Sequence, residues 1–251
     1  MSPAELKGRV ALVTGGARGI GRAIAQALAA QGAAIAVMDI NGAGAAETAA
    51  LVGRQGVPAH VVTADVSDYD AVKAGLAAIR AALGAPSIVV CNAGIAGEPT
   101  LFREETKAAW TRNFQVNVDG TFHCLRETFP AMLQTGWGRI VVISSIAATV
   151  GWRGASSYAA AKAALLGLMR TLALEGASKG VTANAVLPGV VDTEMARQSL
   201  VKVRDKVEAA IPMKRIGRPE DIANAVAFLC SERAAFITGQ CLSPNGGMWM
   251  G

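Results

Sequence analysis

The hydrophobic positions along the chain form short uninterrupted runs, which alternate with longer alanine-rich segments. Runs of this length predict strands buried on both faces, as in parallel sheets covered by helices on both sides. They lie at residues 9–14, 34–39, 60–64, 87–91, 138–145 and 181–187, with a last one reached through 236–242. Strands alternating with helices predict an α/β fold with a doubly wound, seven-stranded parallel sheet. Because no linker interrupts the alternation, we expect residues 1–251 to form a single domain.

A glycine-rich turn lies between the first two predicted strands, and it precedes a predicted helix over residues 20–31. Glycines let the backbone approach a pyrophosphate closely, and a helix N-terminus favours that anion through its free N–H groups and its dipole. The turn ends at Gly21, and the second strand, which follows the helix, ends in an acid, Asp39. This strand, turn, helix and strand with a terminal acid predict a Rossmann-type, dinucleotide-binding unit.

Tyr158 and Lys162 lie four residues apart in an alanine-rich segment, which places them on one face of a helix. A cation one helical turn away favours the phenolate and lowers the pKa of a tyrosine, which is otherwise about 10. The pair is therefore a candidate for proton transfer. Taken alone, the pattern is also compatible with a core tyrosine beside a solvated lysine.

Three motifs in order connect these segments. They are Thr14-Gly15-x-x-x-Gly19-x-Gly21, then Asn92-Ala93-Gly94, then Ser145 followed by Tyr158-x-x-x-Lys162. With these motifs, residues 7–251 resemble the short-chain dehydrogenase/reductase family. The resemblance implies an oxidoreductase that transfers a hydride between NAD(H) and a ketone or secondary alcohol, a small-molecule substrate.

The resemblance assigns catalytic roles to Asn117, Ser145, Tyr158 and Lys162. Tyr158 would be the general acid or base, and Ser145 would donate a hydrogen bond to the substrate oxygen. Lys162 would bind the nicotinamide ribose and lower the pKa of Tyr158. Asn117 would hold a helix distortion that binds a water. Ser144 is the alternative serine, but the family's spacing between the serine and the tyrosine selects Ser145.

The same resemblance implies a set of cofactor-binding residues in addition to Tyr158 and Lys162. Asp65 would meet the adenine amine, although its position is equally compatible with capping a helix that begins near Ser67. Cys91 stands where the family has asparagine, so we expect local repacking there. The cofactor-binding set is Gly15, Arg18, Gly19, Ile20, Gly21, Asp39, Asp65, Val66, Asn92, Ala93, Gly94, Pro188, Gly189, Val191 and Thr193.

Two residues favour different cofactors. Asp39 can bond the two adenosine-ribose hydroxyls and would repel a 2′-phosphate, which favours NAD. Arg18 occupies a position where NADP-dependent members of the family often have a basic residue, although it could instead be solvated or pair locally. We expect NAD, because an unpaired carboxylate beside a phosphate is the harder conflict to relieve.

Composition excludes several other classes of function. The net charge is +5, but the basic residues are scattered, which argues against a nucleic-acid partner. No uncharged apolar run is long enough to cross a membrane, so we expect a cytoplasmic protein without a membrane association. The four cysteines form no C-x-x-C pair and the two histidines have no second ligand at metal spacing, so we expect reduced thiols and no metal site.

The chain's last third resembles the 3-oxoacyl-(acyl-carrier-protein) reductase branch of the family. That branch usually uses NADPH, which Asp39 opposes, and binds its acidic carrier protein through basic residues that segment 134–137 lacks, leaving only Lys179. We therefore expect an NAD-linked dehydrogenase or ketone reductase of a small or cyclic, largely apolar substrate, with the NADPH-dependent carrier-protein reductase as the alternative. An alternative from another class, a catalytically silent dinucleotide-binding scaffold, is opposed by the intact catalytic set.

The resemblance also implies a substrate loop at about residues 194–212, in which Met195 and Leu200 could line an apolar pocket, although ordinary helix packing accounts for these two residues equally well. A helix over about 156–175 and the C-terminal strand would form dimer interfaces, so we expect a homotetramer.

Overall fold

The computed structural model describes residues 5–194, 196, 201 and 203–250. Its sheet has seven parallel strands, as the hydrophobic runs predict, and their order is β3-β2-β1-β4-β5-β6-β7. The strands are β1 Val10–Thr14, β2 Ala34–Asp39, β3 Ala59–Thr63, β4 Ile88–Cys91, β5 Gly138–Ile143, β6 Val181–Val186 and β7 Cys241–Leu242.

Helices cover both faces of this sheet. In the described residues they are α1 Gly19–Ala29, α2 Gly42–Gly53, α3 Tyr69–Leu83, α4 Lys107–Phe114, α5 Gly120–Thr135, α6 Ala147–Val150, α7 Ser156–Gly176, α8 Arg204–Ala210 and α9 Pro219–Cys230. A π-helical segment, Gln115–Asp119, joins α4 to α5. None of the described helices is long and apolar enough to cross a membrane.

Two hydrophobic cores lie on opposite sides of the sheet. Because successive side chains of a strand point to opposite faces, Leu12 packs into one core and Val13 into the other. The first core is formed with α3, α5 and α7, and the second with α1, α2 and α9. Burial on both faces explains why the strands are continuous apolar runs.

The carboxyl ends of all strands meet at one edge of a parallel sheet. Several candidate site residues follow those ends directly, namely Gly15 after β1, Asn92 after β4 and Ser145 close after β5. Met195 and Leu200 of the predicted substrate loop lie outside the described residues. The described part of that loop contains α8.

Candidate active site

The glycine turn between β1 and α1 is packed too closely for side chains. A Cβ on Gly21 would overlap the Gly15 carbonyl oxygen, and one on Gly15 would lie 2.8 Å from Ala93 Cα. Gly19 opens α1 with a φ of +53°, a conformation that favours glycine. Within the described residues, no side chain caps the N-terminus of α1 and no acid occupies its first turn. The turn therefore offers uncapped N–H groups to an anion.

Polar side chains from α1 and α2 hold the backbone of this turn in place. The Thr48 hydroxyl donates to the Gly16 carbonyl at 2.8 Å and accepts from Arg22 Nε at 2.9 Å. Arg22 Nη2 also donates to the Ala17 carbonyl at 2.5 Å. Neither Arg22 nor Thr48 was predicted, because Thr48 comes from α2, which is distant from the turn along the chain, and only folding brings the two together.

Asp39 and Arg18, which favour different cofactors on sequence grounds, both lie at the glycine turn. Asp39 accepts from the Ala17 N–H through Oδ2 and from the Asn41 N–H through Oδ1, each at 2.9 Å. Arg18 forms an ion pair with Glu194 across the surface. Arg18 is thus a mostly exposed side chain with an ion-pair partner from a distant part of the chain.

Asp65 does not cap the following helix, so that alternative is wrong. Helix α3 begins at Tyr69, and Asp68 caps it by accepting from the Ala71 N–H at 3.0 Å. Asp65 instead accepts from the Ser67 N–H and hydroxyl and pairs with Arg112 at 3.0 Å. Burial alone would raise the pKa of Asp65, but these bonds hold it below its usual range. Val66, the next residue, is buried against Gly120.

The end of β4 is fastened to the glycine turn. Asn92 Nδ2 donates to the carbonyls of Thr14 and Gly15 at 3.0 Å each, and the Thr14 hydroxyl accepts from the N–H groups of Asn92 and Ala93. Cys91, where the resemblance led us to expect repacking, is buried in the first core, and burial raises the pKa of its thiol well above the usual range. It is an inert, packed thiol.

Asn117 lies within the π-helical segment, so the helix distortion implied by the resemblance is present. Its side-chain Nδ2 donates to the carbonyls of Ile95 at 2.9 Å and Asn113 at 3.0 Å. Its Oδ1 is buried and has no hydrogen-bond partner among the described residues. A Cβ on Gly94 would lie 2.5 Å from this Oδ1 and 3.1 Å from Lys162 Nζ. The two polar groups therefore converge beside Gly94.

Ser145, Tyr158 and Lys162 meet beside the end of β5. Ser145 lies close enough to Tyr158 to lower the pKa of its phenol, and the Tyr158 ring centroid lies 5.8 Å from Lys162 Nζ. Lys162 is buried and its Nζ donates to the Ile143 carbonyl at 2.9 Å. Ser144, the alternative serine, points elsewhere, because its hydroxyl donates to the Lys162 carbonyl at 2.8 Å.

The electrostatics of this pair differ from the expectation that the lysine lowers the pKa of the tyrosine. Burial raises the pKa of Tyr158 above its usual 10, and the nearness of Ser145 offsets only part of this. Burial also lowers the pKa of Lys162 to about 8. In the polypeptide alone, burial therefore outweighs the effect expected of the lysine charge, which burial itself destabilises.

The segment after β6 packs against the residues that follow β5 and β7 and against the glycine turn. The Pro188 carbonyl accepts from the Ile146 N–H at 3.1 Å, and Gly189 is packed so closely on Asn245 that a Cβ would lie 2.9 Å from its Cα. Val191 forms a parallel bridge with Gly217. Thr193 lies over the glycine turn, where a Cβ on Gly19 would meet its Cγ2 at 3.5 Å.

Several known proteins are similar in sequence to this chain along nearly its whole length. A family model described as enoyl-(acyl carrier protein) reductase matches residues 15–249. Acetoacetyl-CoA reductase of Rhizobium meliloti (strain 1021) is 44% identical over 243 residues, which is 96% of this chain and 98% of the relative. The 3-oxoacyl-(acyl-carrier-protein) reductase of Escherichia coli (strain K12) is 40% identical over 246 residues, 98% and 99% of the two chains.

Two further proteins extend the comparison. The 2-dehydro-3-deoxy-L-rhamnonate dehydrogenase (NAD(+)) of Sphingomonas sp. (strain SKA58) is 39% identical over 96% of this chain and 95% of its own. A crystal structure from Brucella melitensis, titled short-chain dehydrogenase/reductase SDR: glucose/ribitol dehydrogenase, superposes with a TM-score of 0.92 at 34% identity and covers 99% of both chains. With its parallel sheet, glycine turn and Ser145–Tyr158–Lys162 cluster, the chain belongs to the short-chain dehydrogenase/reductase family of oxidoreductases.

Proposed function

We propose that the protein reduces the 3-oxo group of an acyl thioester to a secondary alcohol, using a nicotinamide dinucleotide. The observation that supports this most directly is the cluster of Ser145, Tyr158 and Lys162 beside a glycine turn with an uncapped helix N-terminus. Two relatives at 44% and 40% identity are named for reducing such thioesters. They favour a thioester over the small or cyclic alcohol that the sequence led us to expect first.

The residues at the cleft fit a dinucleotide. Gly15 and Gly21 let the turn pack directly against the end of β4, Gly19 leaves the start of α1 without a side chain, and the amides of α1 would hold the pyrophosphate. Asp39 would hold the adenosine ribose, and Lys162 the nicotinamide ribose. The Asn117 Oδ1, buried and without a partner in the described residues, fits a polar group or water next to that ribose.

The chain's own groups have simple roles in reduction. When bound, the dinucleotide supplies the hydride. Because burial raises its pKa, Tyr158 stays protonated at neutral pH and can act as the acid that donates a proton to the ketone oxygen. Ser145 donates a hydrogen bond to the same oxygen and stabilises the charge that develops there. Lys162 holds a proton at Nζ next to Tyr158, from which the tyrosine proton can be replaced.

Asp39 supports NAD(H) as the cofactor. Both oxygens of its carboxylate accept backbone N–H groups, so the charge is fixed at the end of β2 and cannot swing away from a 2′-phosphate. Arg18, the residue that could attract that phosphate, is paired with Glu194. A relative named as an NAD(+) dehydrogenase at 39% identity is consistent with this preference.

The surface that follows α5 supports a coenzyme A thioester over a carrier-protein thioester. Residues 134–137 contain no basic side chain. The next one, Arg139, is buried, stacks on Trp137 with its Cζ 4.4 Å from the ring centroid, and pairs with Glu232 at 3.2 Å. Lys179 is left as an exposed cation in this region, which is little for docking an acidic protein.

We also propose that the protein forms a homotetramer. Leu174 is 83% exposed on α7, and Phe236 is fully exposed in the segment that leads to β7. These are the helix and the strand at which the family forms its dimer interfaces. Exposed apolar side chains of this size favour burial against another subunit. Light scattering on the purified protein tests this, and the mass of a single chain, 25.7 kDa, would contradict it.

The test of the activity is a substrate panel followed at the NADH and NADPH absorbance. It contains acetoacetyl-CoA, acetoacetyl carrier protein and a small ketone such as cyclohexanone, each with both dinucleotides. We expect acetoacetyl-CoA with NADH to give the highest kcat/KM, at least about tenfold above NADPH, the equivalent of about 1.4 kcal/mol. Turnover of cyclohexanone without turnover of either thioester would overturn the thioester proposal. A preference for NADPH would overturn the role given to Asp39.

A further inference from the structure

The N-terminus of α7 needs a hydrogen-bond acceptor that its own sequence does not provide. The helix begins at Ser156, so Tyr158 lies in its first turn, where backbone N–H groups have no partner within the helix. The residue before the helix is Ala155, and its side chain makes no capping bond. Because a frayed first turn would move the tyrosine, the capping of this helix matters for the reaction.

Glu105 provides the acceptor from another part of the chain. The Ser156 hydroxyl donates to Glu105 Oε2, although the two residues are 51 positions apart. The hydroxyl and the backbone N–H of Ser157 also lie close enough to the Glu105 carboxylate to lower its pKa. These contacts, with that of Ser156 first, hold the pKa of Glu105 below its usual range, so the carboxylate is ionised at neutral pH. A negative charge at the positive end of a helix is favourable.

Glu105 is also next to the segment that leads to Asn117. It directly precedes Thr106, whose hydroxyl caps α4 by accepting from the Ala109 N–H at 3.1 Å, and α4 runs into the π-helical segment. The backbones of the two regions meet close by, where the Thr100 N–H donates to the Gly154 carbonyl at 2.9 Å. We propose that Glu105 is a positioning residue, a helix cap supplied by a distant segment that fixes the first turn of α7 and so the place of Tyr158 beside Ser145.

Two other acidic residues lie close to Glu105, and one of them provides a control. Glu98, Glu104 and Glu105 all line a cavity of about 100 Å³. Glu104 pairs with its neighbour Arg103 at 3.0 Å. Glu104 thus has the same charge, the same cavity and an adjacent position, and it serves as the matched control.

The first test measures the cap without requiring turnover. Hydrogen exchange over residues 156–162 is followed in the wild type, Glu105→Ala, Glu105→Gln and Glu104→Ala. We expect the first-turn amides of α7 to exchange about tenfold faster in Glu105→Ala, the size of effect that losing one helix cap produces. Glu105→Gln keeps an acceptor oxygen and should be intermediate, while Glu104→Ala should match the wild type. Unchanged exchange in Glu105→Ala would overturn the proposal.

The second test measures positioning through the kinetics with NADH and acetoacetyl-CoA. Glu105→Ala should lower kcat about tenfold with a KM for NADH within about twofold of the wild type, and Glu105→Gln should recover most of the rate. In a double-mutant cycle, adding Ser156→Ala to Glu105→Ala should lower kcat little further, because the two side chains act as one unit. An equal loss in Glu104→Ala, or a loss that follows the unfolded fraction, would refute positioning.

The two proposals can fail separately. If the wild type does not reduce acetoacetyl-CoA, the proposed substrate is wrong, and any ketone of the panel that it does reduce replaces it in the kinetic test. The exchange measurement still decides whether Glu105 caps α7, since the inference rests on the position of Tyr158 and not on the identity of the substrate.

Discussion

Replacing Gly94 with alanine should disable the site through one added methyl group. An alanine Cβ there would lie 2.5 Å from Asn117 Oδ1 and 3.1 Å from Lys162 Nζ, whereas ordinary contacts begin at 3.4 Å. Asn117 cannot move aside freely, because it is fully buried and its Nδ2 bonds two backbone carbonyls at 2.9 and 3.0 Å. The methyl group must therefore displace a buried polar group on which the site depends.

The size of the effect follows from these contacts. Overpacking a core position costs about 1–3 kcal/mol, and breaking one of the Asn117 bonds adds about 0.5–1.5 kcal/mol. We expect the free energy of unfolding to fall by about 2–4 kcal/mol. If about 2 kcal/mol of this affects the placement of Asn117 and Lys162 around Tyr158, kcat falls about 30-fold.

The assay combines steady-state kinetics with denaturant unfolding, and Gly53→Ala is the control. Gly53 ends α2, is exposed, and has no atom within 4 Å of an added Cβ. That substitution should leave kcat unchanged and stabilise the protein slightly, by about 0.5 kcal/mol, because alanine restricts the unfolded chain. A Gly94→Ala variant with wild-type kcat and wild-type stability would refute the steric reasoning.

Three further predictions follow from the same contacts. Burial lowers the pKa of Lys162 from 10.5 to about 8, so the unfolded chain binds more protons between these pH values. The stability of the wild type without added dinucleotide, relative to Lys162→Met, should therefore rise by about 3 kcal/mol from pH 8 to 10.5 in chemical denaturation, and a fall would contradict this. Asp39→Ala, which frees the Ala17 N–H, should reduce the preference for NADH over NADPH at least about tenfold in kcat/KM. Thr48→Val, which removes the hydroxyl bonded to Gly16, should raise the KM for NADH several-fold with little change in kcat. An unchanged KM would show that Thr48 does not support the glycine turn in binding NADH.

The fold was predictable because its strands are local features of the sequence. The predicted strand 34–39 coincides with β2, and the boundaries of β1, β3, β4, β5 and β6 shift by at most two residues where hydrogen bonding, not hydropathy, ends a strand. In the last run, reached through 236–242, only Cys241–Leu242 forms a strand. The contact between Tyr158 and Lys162 was likewise accessible, since a spacing of four on a helix fixes the relative position of two side chains.

What the sequence could not indicate depends on contacts between distant segments or on burial. Glu105 follows no motif, and only folding brings it to the N-terminus of α7. The direction of the pKa shift of Tyr158 was missed because spacing reports the nearness of a cation and not the loss of water around both groups. Asp65 was a candidate helix cap on sequence grounds. Asp68, three residues later, is an equally good candidate, and only the backbone geometry shows that Asp68 is the cap.

The most direct test of the account is Tyr158→Phe, which removes the phenolic hydroxyl and keeps the ring. If Tyr158 is the proton donor, this variant should bind NADH with wild-type affinity in a fluorescence titration and lose acetoacetyl-CoA reduction by about a thousandfold, within the range for a general acid. Reduction at a rate near that of the wild type, with NADH binding intact, would contradict the central claim that Tyr158 transfers the proton.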